Sequence, residues 1–196
     1  MNNSKNPYIG RFAPTPSGPL HFGSLVAALA SYLQAKANQG KWLLRIDDID
    51  PPREQDGAAA HILRTLEAFG LYWDDAVVYQ SQQHSYYQQY IQQLQAHCFF
   101  CVCSRKQLKG QTVYPGICRT QRQYQDNSAI RIEVGQQTLS FNDQLQGQQR
   151  CCLEQELGDF VIKRKDQLWS YHLSNVVDDH LMGVTDIVRG IDLLES

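Results

Sequence analysis

Three stretches of the chain gather residue types that do chemistry. Arg11 to Ser24 reads RFAPTPSGPLHFGS and ends where an apolar periodicity begins. A helix N-terminus offers free N–H groups and partial positive charge, which suits phosphate. His21, Gly23 and Ser24 stand at such a start. An imidazole there can donate to an α-phosphate as it becomes pentacoordinate, and Gly23 lets a nucleotide approach the backbone. The second stretch, Leu44 to Asp50 (LRIDDID), closes a strand with acids. Arginine's planar fork binds a carboxylate bidentately, and Arg11 and Arg189 both fall at predicted strand ends. The third stretch holds Cys101-Val102-Cys103 and, after a turn with Gly110, Cys118. Three thiolates so spaced can converge on a tetrahedral Zn²⁺ and leave one ligand open, for which Cys98 is a chemically reasonable candidate. Cys151 and Cys152 read as buried small hydrophobes.

These residues need elements to position them. Tyr8–Phe12 reads as a first strand. Ala13–Pro19 contains three prolines and a glycine and makes a stiff turn. Ser24 reads as the N-cap of a helix that runs to about Gly40, with Leu25, Ala28, Leu29, Tyr32 and Leu33 on one face. Lys41–Ile46 is the next strand. Strand, tight loop, helix and strand make one βαβ unit, hence a parallel sheet with ligands beyond the carboxyl ends of its strands. Both polar loops, 13–21 and 47–50, lie at that edge. Helices are expected over Gly57–Phe69 and over Tyr86–His97, the second with Tyr86, Tyr90, Ile91 and Leu94 inward. From Phe99 to about Gln149 short strands and turns replace helices, which reads as an insertion. Phe160–Lys163 is a strand, Leu173–Met182 a helix and Val184–Arg189 a further strand. The expected class is α/β: a Rossmann-like parallel sheet with a small inserted metal lobe. Residues 1–98 and 151–196 form its core halves and 99–150 the insertion.

Composition narrows the partners. With 42% hydrophobic and 19% charged residues the chain reads as an ordinary globular protein. A net charge of −2 gives no bulk basic field, so any RNA contact must come from local patches such as Lys163-Arg164-Lys165. Met1–Pro7 is polar and is no signal peptide. Leu25–Ala30, the longest apolar run, is too short to span a bilayer. A cytoplasmic location without membrane contact is expected, and in that reducing compartment clustered cysteines suggest metal before disulfide.

Four segments also carry a resemblance. RFAPTPSG followed by LHFGS (Arg11–Ser24) resembles the "HIGH" region of class I aminoacyl-tRNA synthetases, in its glutamate branch. Leu44–Asp50 resembles that branch's LRIEDTD strand end. Tyr171–His180 (YHLSNVVDDH) and Gly183–Gly190 (GVTDIVRG) are further matches, in family order. The resemblance implies ATP-dependent activation of L-glutamate, with Mg²⁺ carried in by ATP. It assigns glutamate binding to Arg11, Ala13, Thr15, Asp47, Tyr171, Asn175 and Arg189. ATP binding goes to Pro14, Ser17, Gly18, His21 and Gly23, and catalysis to His21, Gly23 and Ser24. The family residue at Asp47 is usually glutamate. The shorter arm leaves the ammonium contact to a bridging water or to Asp48.

Within that branch the chain is similar to the compact glutamyl-queuosine enzymes, through the run His21–Leu29, Ile49–Glu54 and the Cys-x-Cys…Tyr-x-x-x-Cys pattern. This likeness implies one Zn²⁺ held by Cys101, Cys103, Tyr114 and Cys118. It also implies that glutamate passes to queuosine in the anticodon loop of tRNA(Asp); a monomer is expected. The family's second ATP motif, with its lysine, would lie further on than Ser196, and the chain reads either as a fragment or as a natural chain cut short.

Overall fold

A computed structural model describes residues 7–194; the N-terminal stretch read as no signal peptide lies, but for Pro7, outside the described residues. In chain order the elements are β1 (Ile9–Phe12), α1 (Phe22–Ala37), β2 (Lys41–Ile46), α2 (Ala58–Ala68), β3 (Val78–Tyr79), α3 (His84–Gln93), β4 (Cys98–Cys101), β5 (Ala129–Ile132), β6 (Thr138–Asp143), β7 (Gly147–Cys152), α4 (Leu153–Glu156), β8 (Phe160–Lys163) and α5 (Tyr171–Leu181). The chain divides into two compact units, Met1–Ser85 with Asn175–Ser196, and Tyr86–Ser174.

In the first unit β1 pairs parallel with β2, and β2 with β3. A single parallel bridge sets Asp186 beside Gly10 on the other side of β1. The parallel βαβ arrangement read from the sequence is therefore present. The expected strand Val184–Arg189 reduces to that one bridge, with Thr185 and Asp186 both donating N–H to the Ile9 carbonyl. The core stacks Phe12, Trp42, Leu44 and Ile46 of the sheet against Ala28 and Ala35 of α1 and Ile62 and Leu66 of α2. Burying a side chain of this size contributes about 1.5–3 kcal/mol. Trp42 is wholly buried and donates its indole N–H to Ser31 Oγ at 2.9 Å, so its one polar atom is satisfied.

Helix α1 differs from expectation at both ends and in its facing. His21, not Ser24, is its N-cap, and Asn38 caps the other end, two residues before Gly40. The buried face is Ala28, Ser31 and Ala35. Leu29 and Leu33, expected inward, are about half exposed, at 47% and 55%. The large Trp42 and Phe12 rings fill the space under the helix, so small residues face the sheet. Helix α2 starts after Gly57 and ends at Ala68, close to expectation.

In the second unit α3 stops at Gln93, and a 3₁₀ turn covers Gln95–His97. It buries Tyr87 and Ile91, whereas Tyr86, expected inward, is exposed. Strands β4, β5 and β8 form an antiparallel sheet, and β6 and β7 a hairpin. The expected change to short strands and turns after Phe99 is borne out, and β8 forms over the expected residues. Cys151 and Cys152 lie on β7 and are partly exposed, not buried. A hairpin with one open face cannot enclose them. Among the described residues no helix is long and apolar enough to cross a membrane.

Candidate functional site

The loop after β1 is fastened to the end of β2 by backbone bonds. Asp47 N–H donates to the Pro14 carbonyl at 3.0 Å, and Gln55 N–H to that of Pro16 at 3.0 Å. Prolines accept but cannot donate, so these carbonyls are the loop's natural anchors. Ser17 N–H donates to the Thr15 carbonyl, and Gly18 takes a φ of +140°, which a side chain would strain. Loops 13–21 and 47–50 thus meet beyond the strand ends, as the βαβ reading required.

His21 then starts α1. Its Nδ1 accepts from the Ser24 backbone N–H at 3.2 Å, and its Nε2 lies 2.9 Å from Ser24 Oγ. An accepting Nδ1 leaves the ring proton on Nε2, which donates to Ser24 Oγ, so the hydroxyl proton of Ser24 is the one turned outward. A Cβ on Gly23 would come within 3.1 Å of His21 Cε1 and 3.2 Å of Nδ1. Gly23 is thus what lets the imidazole fold over the first turn. His21 and Gly23 are exposed, as contact with a soluble anion requires.

Behind this edge lies a buried ionic network centred on Arg45, whose side chain is fully buried. Arg45 Nε donates to Asp47 Oδ1 at 2.6 Å, Nη1 to Asp179 Oδ1 at 2.7 Å, and Nη2 to Asn175 Oδ1. Asp178 Oδ2 lies 3.8 Å from Arg45 Nε and accepts from Gln80 Nε2 at 2.7 Å. Arg11 grips Asp179 with Nε and Nη2, both at 3.1 Å. Two guanidiniums face three carboxylates, so the network carries one negative charge in excess. Burial pushes the Asp47 carboxyl up to about 6, against the pull of Arg45 and Arg11. Burial also works against the Arg45 charge, but Asp47, Asp179 and Asp178 outweigh it and its pKa is raised.

Two donors of the network remain uncommitted. Asn175 turns its oxygen to Arg45, which fixes the amide and leaves Nδ2 buried without a partner. Among the described residues Arg11 Nη1 has no hydrogen-bond partner, its other nitrogens being held by Asp179. A buried donor without a partner, as Asn175 Nδ2 is, is uncommon and points to something else that meets it.

The cysteine stretch closes a second centre, in the other unit. The sulfurs of Cys101, Cys103 and Cys118 lie within 4.8 Å of one another, a grouping that can hold a metal ion. Cys103 and Cys118 are 3.6 Å apart; the Tyr114 hydroxyl is 3.6 Å from Cys101 Sγ and 3.8 Å from Cys103 Sγ. Cys118 N–H donates to that hydroxyl at 2.8 Å, which orients it. Arg131 stacks over the Tyr114 ring at 4.1 Å and fixes the ring plane. Burial raises the Cys101 thiol, but the Tyr114 hydroxyl, the Cys103 backbone and Arg131 outweigh it and lower its pKa. Burial and the neighbouring thiols push Cys103 up to about 11. Cys98 is not among the grouped sulfurs. Burial raises its thiol, opposed by Arg122.

Of the residues expected to bind an amino acid, Arg11, Asp47 and Asn175 meet in the Arg45 network. Ala13 and Thr15 lie on the loop anchored to it. Asp47 is turned to Arg45, and Asp48 accepts from the Ser81 N–H and Oγ at 2.9 and 2.7 Å. Tyr171 opens α5, exposed, one turn before Asn175. Arg189 is partly buried and has an interaction of its own. Arg45, Asp178, Asp179 and Gln80 were missed. Arg45 had a readable signal: it interrupts Trp42-Leu43-Leu44 and Ile46 in a strand with parallel neighbours. Such strands are buried on both faces, and a buried charge must be paired.

The family model for the catalytic domain of class I tRNA synthetases (E and Q) matches residues 9–127 and 117–196. The chain is 56% identical over 191 residues to a glutamyl-Q tRNA(Asp) synthetase of Pseudomonas syringae pv. syringae, covering 96% of this chain and 65% of that protein. It is 53% identical to a protein of that name from Pseudomonas putida GB-1, covering 100% and 67%. The chain thus spans about two thirds of the length of these curated relatives. Its fold is similar to a glutamate tRNA ligase from Elizabethkingia meningosepticum, solved in complex with its amino acid. That match has a TM-score of 0.83 and 26% identity, over 95% of this chain and 44% of the other. The ordered motifs, the parallel sheet and the matched family model agree, and the chain belongs to the class I tRNA synthetases (E and Q), catalytic-domain family.

Proposed function

We propose that the protein activates L-glutamate with ATP and passes it to queuosine in tRNA(Asp), the reaction that the names of its relatives describe. The observation that carries this reading is the Arg45 network beside the His21-capped helix. Its surplus carboxylate charge complements an α-ammonium. Arg11 Nη1 and Asn175 Nδ2 are unpaired donors for carboxylate oxygens. Arg189 supplies a further cation, and Tyr171 and Thr15 hydroxyls. Asp47 at about 6 is mostly ionised at neutral pH and holds the ammonium directly or through water.

In the first step a carboxylate oxygen of glutamate attacks the α-phosphorus of ATP, and the bond to the β-phosphate oxygen breaks. Pyrophosphate leaves with Mg²⁺, and a mixed anhydride remains. The chain positions two anions and donates to the developing charge from the hydrogen-bonded His21–Ser24 pair and the α1 N-terminus. Pro14, Ser17 and Gly18 form the wall on which ATP rests. Ser24 keeps the imidazole tautomer that donates. The glutamyl group then passes to queuosine and AMP leaves.

The cysteine centre is assigned to one Zn²⁺ held by Cys101, Cys103, Tyr114 and Cys118. A tetrahedral ion with Zn–S near 2.3 Å and Zn–O near 2.0 Å has edges of about 3.8 Å between sulfurs and about 3.5 Å from sulfur to oxygen. The separations of 3.6 and 3.8 Å fit those edges. The metal's role is structural: it joins turns whose own core is Phe99, Tyr114 and the cysteines. A cytoplasmic monomer completes the reading.

The test uses the full-length protein with labelled glutamate, ATP and total tRNA, followed by nuclease mapping. Label in the anticodon loop of tRNA(Asp) supports the proposal. Label at the 3′ end would make the protein a tRNA-charging enzyme, and absent glutamate-dependent ATP–pyrophosphate exchange would leave only a binding module.

A further inference from the structure

The two units differ in charge. Tyr86–Ser174 holds ten lysines and arginines against seven aspartates and glutamates, whereas the rest of the chain holds eight against thirteen. The bulk charge of −2 therefore hides a basic unit. Within it, several cations are neutralised: Arg119 by Asp159, Arg122 by Glu133 and Arg164 by Asp166. The Arg164–Asp166 pair lines one open groove of about 360 Å³ together with the further cations Arg105 and Lys165 and with Asn127, Ala129 and Val161.

This groove is built to meet an extended anion. Among the described residues Arg105 has neither a hydrogen-bond nor an ion-pair partner. Lys165 is held in place by donating to the Val102 carbonyl at 2.8 Å, a neutral partner that leaves its charge uncompensated. Asp166 grips Arg164 Nη2 at 2.6 Å and orients the guanidinium fork. Three cations against one acid leave a net charge of about +2 on the groove. Ala129 and Val161 give it an apolar floor, against which a ribose or a base can lie. A lone phosphate needs neither that floor nor that volume, whereas a nucleic-acid backbone uses both. Asn127 adds an amide that can bond to a sugar hydroxyl or phosphate.

We propose that this groove binds the sugar–phosphate backbone of the RNA substrate, with Arg105 and Lys165 as the phosphate contacts and Arg164 as an oriented fork. The inference rests on the tRNA reading given above and adds where the RNA is held. Contacts of this kind position RNA without reading its sequence, and each releases counterions.

The test titrates labelled tRNA against the full-length protein from 50 to 200 mM salt, for wild type and for the Arg105→Ala/Lys165→Ala double variant. Loss of two phosphate contacts reduces the slope of log K against log salt by about 0.7–0.9 each and weakens binding on the order of tenfold. Glutamate-dependent ATP–pyrophosphate exchange, measured without RNA, stays within about twofold of wild type, which shows that the variant is folded. Lys109→Ala, a cation outside the groove, leaves the slope nearly unchanged. An unaltered slope in the double variant overturns the proposal. So does an equal loss from Lys109→Ala, which would mean a diffuse field only, or a wild-type protein that fails to bind tRNA. Wild type that binds tRNA through these residues but performs no exchange upholds the groove and refutes the activation reading instead.

Discussion

Replacement of Arg45 by methionine tests the buried network most directly. Methionine fills much of the same volume without charge, so the change isolates the ionic part. Asp47, Asp179 and the Asn175 oxygen lose their donor, and Asp178 loses a cation 3.8 Å away. Each charge-assisted bond contributes roughly 1.5–3 kcal/mol, and the desolvation of Arg45 that is no longer needed offsets part of the total. Removing one partner of a buried pair typically costs about 3–5 kcal/mol. For a chain of this size that lowers Tm by roughly 6–20 °C, at about 2–4 °C per kcal/mol. The cost must depend on pH. Without Arg45 the carboxylates bind protons more readily in the folded state, so low pH relieves the loss and high pH deepens it. Thermal unfolding of wild type and Arg45→Met at pH 5 and pH 8 measures both effects. The double variant Arg45→Met/Asp47→Asn should recover about 1–3 kcal/mol relative to the sum of the single changes. A Tm drop below about 2 °C, or an equal drop at both pH values, would refute the account of the network.

Asp47 has its own pH signature. Its folded pKa is raised to about 6, above its ordinary value of 3.8, so the folded state holds the extra proton between these values. Its contribution to stability is therefore full below about 3.8 and lost as pH rises through 6. Affinity for L-glutamate runs the other way and rises through pH 6 as Asp47 ionises. Calorimetry of wild type and Asp47→Asn checks this, and a pH-independent wild-type affinity would sink it. His21→Ala should cost about 1 kcal/mol through the lost cap and abolish exchange. His21→Asn should restore the stability and not the exchange, and recovery of both would make His21 a cap alone. Metal analysis should find one ion per chain, lost in Cys103→Ala and kept in Cys98→Ala; the reverse pattern would displace the proposed ligand set.

The sequence determined the parts whose cause is local. The prolines of 13–19, the glycines and the apolar run of Lys41–Ile46 specify turn, helix start and strand through backbone chemistry alone, and the βαβ unit follows. The Cys-x-Cys spacing with Cys118 likewise placed three thiols, and the structure sets the Tyr114 hydroxyl beside them. Periodicity misjudged faces where a neighbour decided them. Leu29 and Leu33 turn outward because Trp42 and Phe12 occupy the space below α1. The cap passed from Ser24 to His21 because the ring can fold over Gly23, a matter of side-chain geometry. Arg45 marks the deepest division. The sequence shows one arginine within an apolar strand, but its partners Asp178, Asp179 and Asn175 lie more than a hundred residues away. Only folding brings them within reach, and only burial gives their charges the strength to orient Arg11 and Asp47.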